Sequence, residues 1–181
     1  GVFFDAEHFF DGYKSNHNYS HSVIRAAEEA GAECVILCDT NGGMLPSDIA
    51  AIVQEISESH DVKLGIHTHN DSDTAVAGTI SAVDAGAIHV QGTINGYGER
   101  CGNANLVSII ANLKLKKGID CLLDDQLSRL TDVSRIVAEI ANMPATLNQP
   151  YVGKSAFAHK GGVPASAVAK VERSYQDIRP A

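Results

Sequence analysis

Along the 181-residue chain, short apolar and β-branched runs alternate with segments of helical period. The runs are Val2 to Phe4, Cys34 to Cys38, Val62 to Ile66 and Ile88 to Gln91. Each leads into a polar cluster and then into an amphipathic stretch, which reads as strand, loop, helix repeated four times. In the second helical stretch Pro46 stands near the start, and Ile49, Ile52, Val53 and Ile56 recur at spacings of three and four as one apolar stripe. The stretch before it, His21 to Ala30, stops at Gly31, a natural C-terminal cap. Alternation of this kind predicts a parallel α/β sheet with right-handed crossovers. A later apolar stripe, Leu127, Leu130, Val133, Ile136, Val137 and Ile140, predicts a helix over 127–141 outside the repeating units.

The polar clusters follow the strands. They are Asp5-Ala6-Glu7-His8, Asp39-Thr40-Asn41-Gly42, His67 to Asp71, and Thr93 to Arg100. A (β/α)₈ barrel builds its active site from loops at that end, and four units make half a barrel. An open doubly wound sheet places its ligands there too, so alternation alone leaves both architectures standing. Within the third cluster, His67 and His69 sit two residues apart at a strand end. Successive strand side chains alternate between faces, so both imidazoles point to one side, as half of a metal site requires.

Each cluster also carries a plainer reading. Glu7 fits a solvated loop carboxylate as well as a functional one. Thr40 in Asp-Thr-Asn-Gly fits a turn built for backbone reasons. Asn103 fits the N-cap of a helix running from Ala104 to Leu115 as well as it fits a ligand. Cys101 beside Arg100 has no histidine near it in sequence and reads as a small buried thiol rather than a nucleophile.

Composition narrows the function classes. The formal charge is −8, from 14 basic and 22 acidic residues, with Lys114, Lys116 and Lys117 as the one basic cluster. Neither nucleic acid nor a membrane surface is expected as a partner. With 44% hydrophobic, 20% charged and 6% aromatic residues, the chain can bury one ordinary α/β core. Cys34, Cys38, Cys101 and Cys121 form no CxxC pair, and reduced thiols in a cytoplasmic protein are the expectation. No run reaches the roughly 18 apolar residues of a membrane span. The opening GVFFDAEHFF reads as a strand already under way, so the natural N-terminus is expected upstream.

HTHND after a strand, followed by GTINGYGERCGNANL, resembles the metal-dependent acyl-CoA-condensing family of 2-isopropylmalate, homocitrate and citramalate synthases, which shares the HMG-CoA-lyase-like TIM barrel. AEHFFDGYK, LCDTNGG and PYVGKSAFAHKGG look most like its citramalate synthase branch. The resemblance implies a partial (β/α)₈ barrel, its C-terminal half over residues 1–122, followed by a truncated helical post-barrel segment over 123–181. It implies His67 and His69 as ligands of a divalent metal (Mg, Mn, Co or Zn), supported by Asn103. Glu7 is implied in acid/base chemistry on acetyl-CoA, the co-substrate. Thr40 is implied to hold the carboxylate of a 2-oxo acid, and Asp5 to line the pocket. The implied reaction joins acetyl-CoA to pyruvate, giving (R)-citramalate for branched-chain amino-acid synthesis. The alternatives are a sister synthase for a larger 2-oxo acid, a carbon-carbon lyase of the HMG-CoA lyase kind, or a non-catalytic fragment. The family pattern also implies a homodimer.

Three departures accompany the likeness. The family's first-strand Asp-Arg-Glu motif, with a metal-ligating Asp and a substrate-gripping Arg, is missing from this chain, so the isolated chain is expected to be inactive. A histidine expected after Gly-Gly-Val is replaced by Pro164, and His159 lies five residues before it. Asp73 stands where relatives often carry Gly, at an expected exposed helix start.

Overall fold

The computed structural model describes residues 1–159, 162–171, 174 and 178. The chain divides into two compact units, Gly1–Gly118 and Ile119–Ala181.

The first unit carries four strands, β1 Phe3–Ala6, β2 Cys34–Asp39, β3 Lys63–Thr68 and β4 His89–Gln91. All pair in parallel, in the order β1-β2-β3-β4. That order decides between the two architectures left open by the sequence. A doubly wound sheet reverses strand order at a switch point, whereas a barrel adds each new strand beside the last. The register sets Asp5, Ile36, Gly65 and His89 in one row across the sheet, and Cys38, His67 and Gln91 in the next row of the same parity. Those rows share the concave face. Contacts across that face show the curvature: Phe3 on β1 meets His89 on β4 with ring centroids 5.0 Å apart, although the two strands are not neighbours.

Alternate residues on β2 and β3, Val35, Leu37, Leu64 and Ile66, face the other way and are fully or almost fully buried. They pack against α1 Phe9–Ser15, α2 His17–Glu29 and α3 Pro46–Ser59, which contribute Phe10, Ile24, Ile49, Val53 and Ile56 to one core. The predicted stripe of α3 is thus its buried face, and Pro46 occupies its first turn. α2 begins earlier than its apolar pattern indicated, capped by the Asn16 side chain accepting from Tyr19 N at 3.1 Å. It ends where Gly31 takes φ +85°, a conformation with no penalty for glycine. α4 Ala75–Asp84 and α5 Leu106–Leu115 complete the layer, and α5 packs Ile109 and Leu113 beside Ala75.

The second unit contains α6 Asp124–Leu127, α7 Leu130–Ile140 and α8 Gly162–Lys170. The helix expected over 127–141 is therefore interrupted at Ser128 and Arg129. Its buried side also differs from the expected stripe. Leu130, Ser134 and Ala138, four residues apart, are buried, whereas Val133, Ile136 and Ile140 are exposed. Pro164 lies in the first turn of α8, where its missing N–H costs nothing. Lys160 and Gly161, which precede it in the family-like motif, lie outside the described residues. No described helix is long and apolar enough to cross a membrane.

Candidate metal and substrate site

At the C-terminal ends of the strands the structure places every site residue expected from sequence within the first unit. His67 is inward on β3, and His69 follows it on the same side, with ring centroids 5.0 Å apart at 50°. Each ring has one nitrogen engaged. Gln91, inward on β4, donates from Nε2 to Asp5 Oδ1 at 3.0 Å and faces His67 Nδ1 with Oε1 at 2.8 Å. A carboxylate only accepts, so the amide nitrogen of Gln91 belongs toward Asp5 and its oxygen toward His67. His67 Nδ1 must then carry the hydrogen, leaving Nε2 with a lone pair. For His69 the partner is the backbone oxygen of Asp39, 3.2 Å from Nδ1, and the same argument leaves its Nε2 bare. Buttressing of this kind accompanies metal-ligating histidines.

Asn103 brings a third candidate donor to the site. The loop carrying it pairs with the segment after β3: His69 and Asn103 form an antiparallel bridge, Asn70 N donates to Gly102 O at 2.9 Å, and Ala104 N to Thr68 O at 3.0 Å. Asn103 Nδ2 donates to Tyr97 O at 3.2 Å, which turns Oδ1 the other way. Among the described residues, Oδ1 is the one buried side-chain polar atom with no hydrogen-bond partner. Leaving such an atom unpaired costs about 1–3 kcal/mol, a penalty that a cation would remove. Two imidazole nitrogens and an amide oxygen fit a hard or borderline divalent cation. Asn103 is not the helix cap; Asn105 takes that role, accepting from Val107 N at 3.1 Å. Two glycines allow the loop to close. A Cβ on Gly98 would lie 1.9 Å from Asn103 Nδ2, and one on Gly102, at φ +97°, 2.1 Å from Gly96 O.

Thr40 and Glu7 form the other half of the constellation. Thr40 Oγ1 accepts from His8 N at 2.8 Å and donates to Glu7 Oε2 at 2.8 Å. The turn after β2 is built by its neighbour: Asp39 accepts from Gly43 N and Met44 N, both at 3.2 Å, and burial pushes its carboxyl above the usual range. Arg100, at φ +52°, ties three loops together. It clamps Asp71 through two hydrogen bonds of 2.8 and 2.9 Å and donates to Thr40 O at 2.7 Å. Its hydrogen bonds hold the Asp71 carboxyl below the ordinary range.

Gln91 and Arg100 carry no local signal in the sequence that marks their partners. Gln91 was findable only by noting that it shares strand parity with His89 on a strand whose inward face is polar. Cys101 is exposed, contrary to the buried thiol expected, and sits beside Gly102 at φ +97°. Asp73 adopts φ +56°, a left-handed conformation rather than that of an ordinary helix start.

A family profile described as HMGL-like matches residues 8–137. The chain belongs to that family. Its sequence is 58% identical over 180 residues to an (R)-citramalate synthase of Aquifex aeolicus and 55% over 179 residues to one of Geobacter sulfurreducens, covering 99% of this chain and 34% of each relative. Against a probable 2-isopropylmalate synthase of Methanopyrus kandleri the identity is 38% over 179 residues, with 99% of this chain and 35% of that protein covered. The chain thus spans about a third of the length of these relatives. An HMG-CoA lyase of Bacillus subtilis superposes with a TM-score of 0.62 at 21% identity, over 70% of this chain and 44% of the other. A pyruvate carboxylase of Rhizobium etli gives 0.62 at 20% identity, over 78% and 14%. At these identities the likeness is one of fold, and the four-stranded sheet is part of a (β/α)₈ barrel.

Proposed function

We propose that this chain is the C-terminal half of the catalytic barrel, with part of the segment after it, of an acyltransferase that condenses acetyl-CoA with pyruvate to (R)-citramalate. The observation carrying the choice among synthases is the step in identity between the citramalate synthases and the 2-isopropylmalate synthase. His67 Nε2, His69 Nε2 and Asn103 Oδ1 are the atoms assigned to a divalent metal. When bound, such a cation polarises the ketone of the 2-oxo acid and steadies the charge that develops on attack.

The remaining chemistry falls to this chain's own side chains. Glu7 takes a proton from the acetyl methyl group, and Oε1 is the atom assigned, because Thr40 holds Oε2. The resulting enolate carbon forms the new bond to the ketone carbon as the carbonyl π pair moves to its oxygen, which takes up a proton; water then cleaves the thioester, giving the carboxylate and releasing CoA. Thr40 has one hydroxyl hydrogen, here given to Glu7. Turning it to the substrate carboxylate withdraws it from Glu7, so binding of the 2-oxo acid and release of Glu7 Oε2 are linked. Asp5 fixes Gln91 and, through it, the tautomer of His67.

The exposed stripe Val133, Ile136 and Ile140 is the surface assigned to a second copy of the protein. A full-length protein that stays monomeric at all concentrations in sedimentation contradicts that assignment. The reaction is tested by supplying the full-length protein with acetyl-CoA, Mg²⁺ or Mn²⁺ and a panel of 2-oxo acids while following thiol release. Pyruvate is expected to give the highest kcat/KM. Preference for a branched, larger 2-oxo acid would reassign the substrate.

A further inference from the structure

On the outer side of the first unit, α2 and α3 bring together a second group of titratable side chains that the proposed reaction does not use. His17 and His21 stand four residues apart on α2, so they share one face of the helix, and their ring centroids are 4.5 Å apart. Glu55 reaches them from α3. Its Oε1 lies 2.6 Å from His17 Nε2 and 3.2 Å from His21 Nε2. One ligand atom from each of the three residues falls within 4.8 Å of the others.

Two of the three potential ligands, Glu55 and His21, are braced from behind. The hydroxyl of Tyr13 donates to Glu55 Oε2 at 2.5 Å, which fixes the carboxylate plane and turns Oε1 toward the histidines. Nδ1 of His21 lies 2.9 Å from Nε2 of His60, whose side chain is 4% exposed and whose Nδ1 faces Glu28 at 3.6 Å. Without a metal, Glu55 Oε1 accepts from His21 Nε2–H; binding an ion moves that hydrogen to Nδ1, where His60 Nε2 accepts it, and frees His21 Nε2 for the metal. His17 and Glu55 are about half exposed, so an ion reaches the group from solvent without opening the fold.

We propose that His17 Nε2, His21 Nε2 and Glu55 Oε1 form a peripheral site for a transition-metal dication of the Zn²⁺ or Co²⁺ kind, separate from the centre at His67 and His69. Two imidazoles and one carboxylate with a fourth position open to water are a recognised donor set for such ions. Bonds of about 2.0–2.1 Å in tetrahedral geometry put neighbouring ligand atoms roughly 3.3 Å apart. The His21–Glu55 separation already meets that spacing, and the exposed His17 ring has to open from its hydrogen bond by well under one ångström. His60 and Tyr13 then act as supports of the kind that orient ligating groups. Its placement outside the barrel wall, where it joins two helices that follow successive strands, makes the ion a clamp on the scaffold.

The experiment uses the full-length protein, stripped of metal, in a His67→Ala/His69→Ala background that removes the inner histidines. Co²⁺ is titrated and followed by its d–d absorption, with a chelator competing for the ion. One equivalent bound in a tetrahedral spectrum is expected, with affinity falling at least tenfold on adding His17→Gln and about 10–100-fold on adding Tyr13→Phe. Because His17 is exposed, the His17→Gln variant keeps the metal-free melting temperature and should lose the rise in Tm that Zn²⁺ gives the parent variant. Absence of Co²⁺ binding in the inner-site variant, or binding that survives His17→Gln unchanged, overturns the proposal. Either result leaves the reaction assigned to the inner site untouched.

Discussion

Two pairs of histidines, one on a strand and one on a helix, solve the same problem with different periodicities. His67 and His69 are two apart because a strand repeats every second residue, and His17 and His21 are four apart because a helix repeats every 3.6. Gln91 and the Asp39 carbonyl hold Nδ1 of both histidines in the first pair, whereas in the second His60 holds Nδ1 of His21 alone. The third donor separates them. Asn103 Oδ1 is buried and unpartnered, whereas Glu55 is engaged by Tyr13, His17 and His21 and its carboxyl is drawn down to about 2, first by the Tyr13 hydroxyl. The inner site keeps an unmet acceptor and the outer one satisfies itself with hydrogen bonds until an ion replaces them. Demand for a cation is therefore stronger at the inner site.

The comparison is broken most severely by removing the base while leaving the metal donors intact. Glu7→Gln in the full-length protein is expected to lower kcat for CoA release by about 10²–10⁴-fold with metal content unchanged. Next comes Gln91→Leu, which keeps both histidines but releases the His67 tautomer; metal affinity at the inner site should fall about 10–100-fold, read by chelator competition. Gly98→Ala, which removes no donor, should weaken the same site by pushing Asn103 aside, with a smaller loss of affinity in the same assay.

At the outer cluster the effect is on acid stability. Glu55 has a folded-state pKa below its ordinary 4.5, so its contribution is complete above that value and is lost as pH falls toward about 2. Glu55→Gln should flatten the fall in urea-unfolding stability over that interval. The effect is modest because the carboxylate is partly solvent-screened. Smallest of all, Asp73→Gly should raise stability by about 1 kcal/mol or less by relieving the left-handed backbone, measured by the same unfolding curves.

Much of the inner site is legible in the sequence because strand periodicity and turn chemistry are local. The apolar runs mark the strands, the polar residues after them mark the functional end, and the i, i+2 histidines mark the shared face. Gln91 is illegible because its role depends on Asp5, 86 residues away and brought close only by curvature. In the sequence Asn103 reads as the cap of α5; the structure gives that role to Asn105 and holds Asn103 in its bridge to His69. The Val133, Ile136, Ile140 stripe is plain in the sequence, but periodicity says that a face is apolar and not what covers it. His17 and His21 read as ordinary helix polar residues until α3 supplies Glu55 beside them.

His67, His69 and Asn103 are together assigned to the cation on which CoA release depends. The most direct test of that assignment is metal content and turnover measured on the same preparations of full-length protein, wild type against Asn103→Leu, with acetyl-CoA and pyruvate. Asn103→Leu abolishes the unpaired oxygen without adding charge. Loss of the inner-site metal equivalent and a matching loss of CoA release are expected, with the fold intact by circular dichroism. Wild-type metal content and turnover in Asn103→Leu would contradict the assignment.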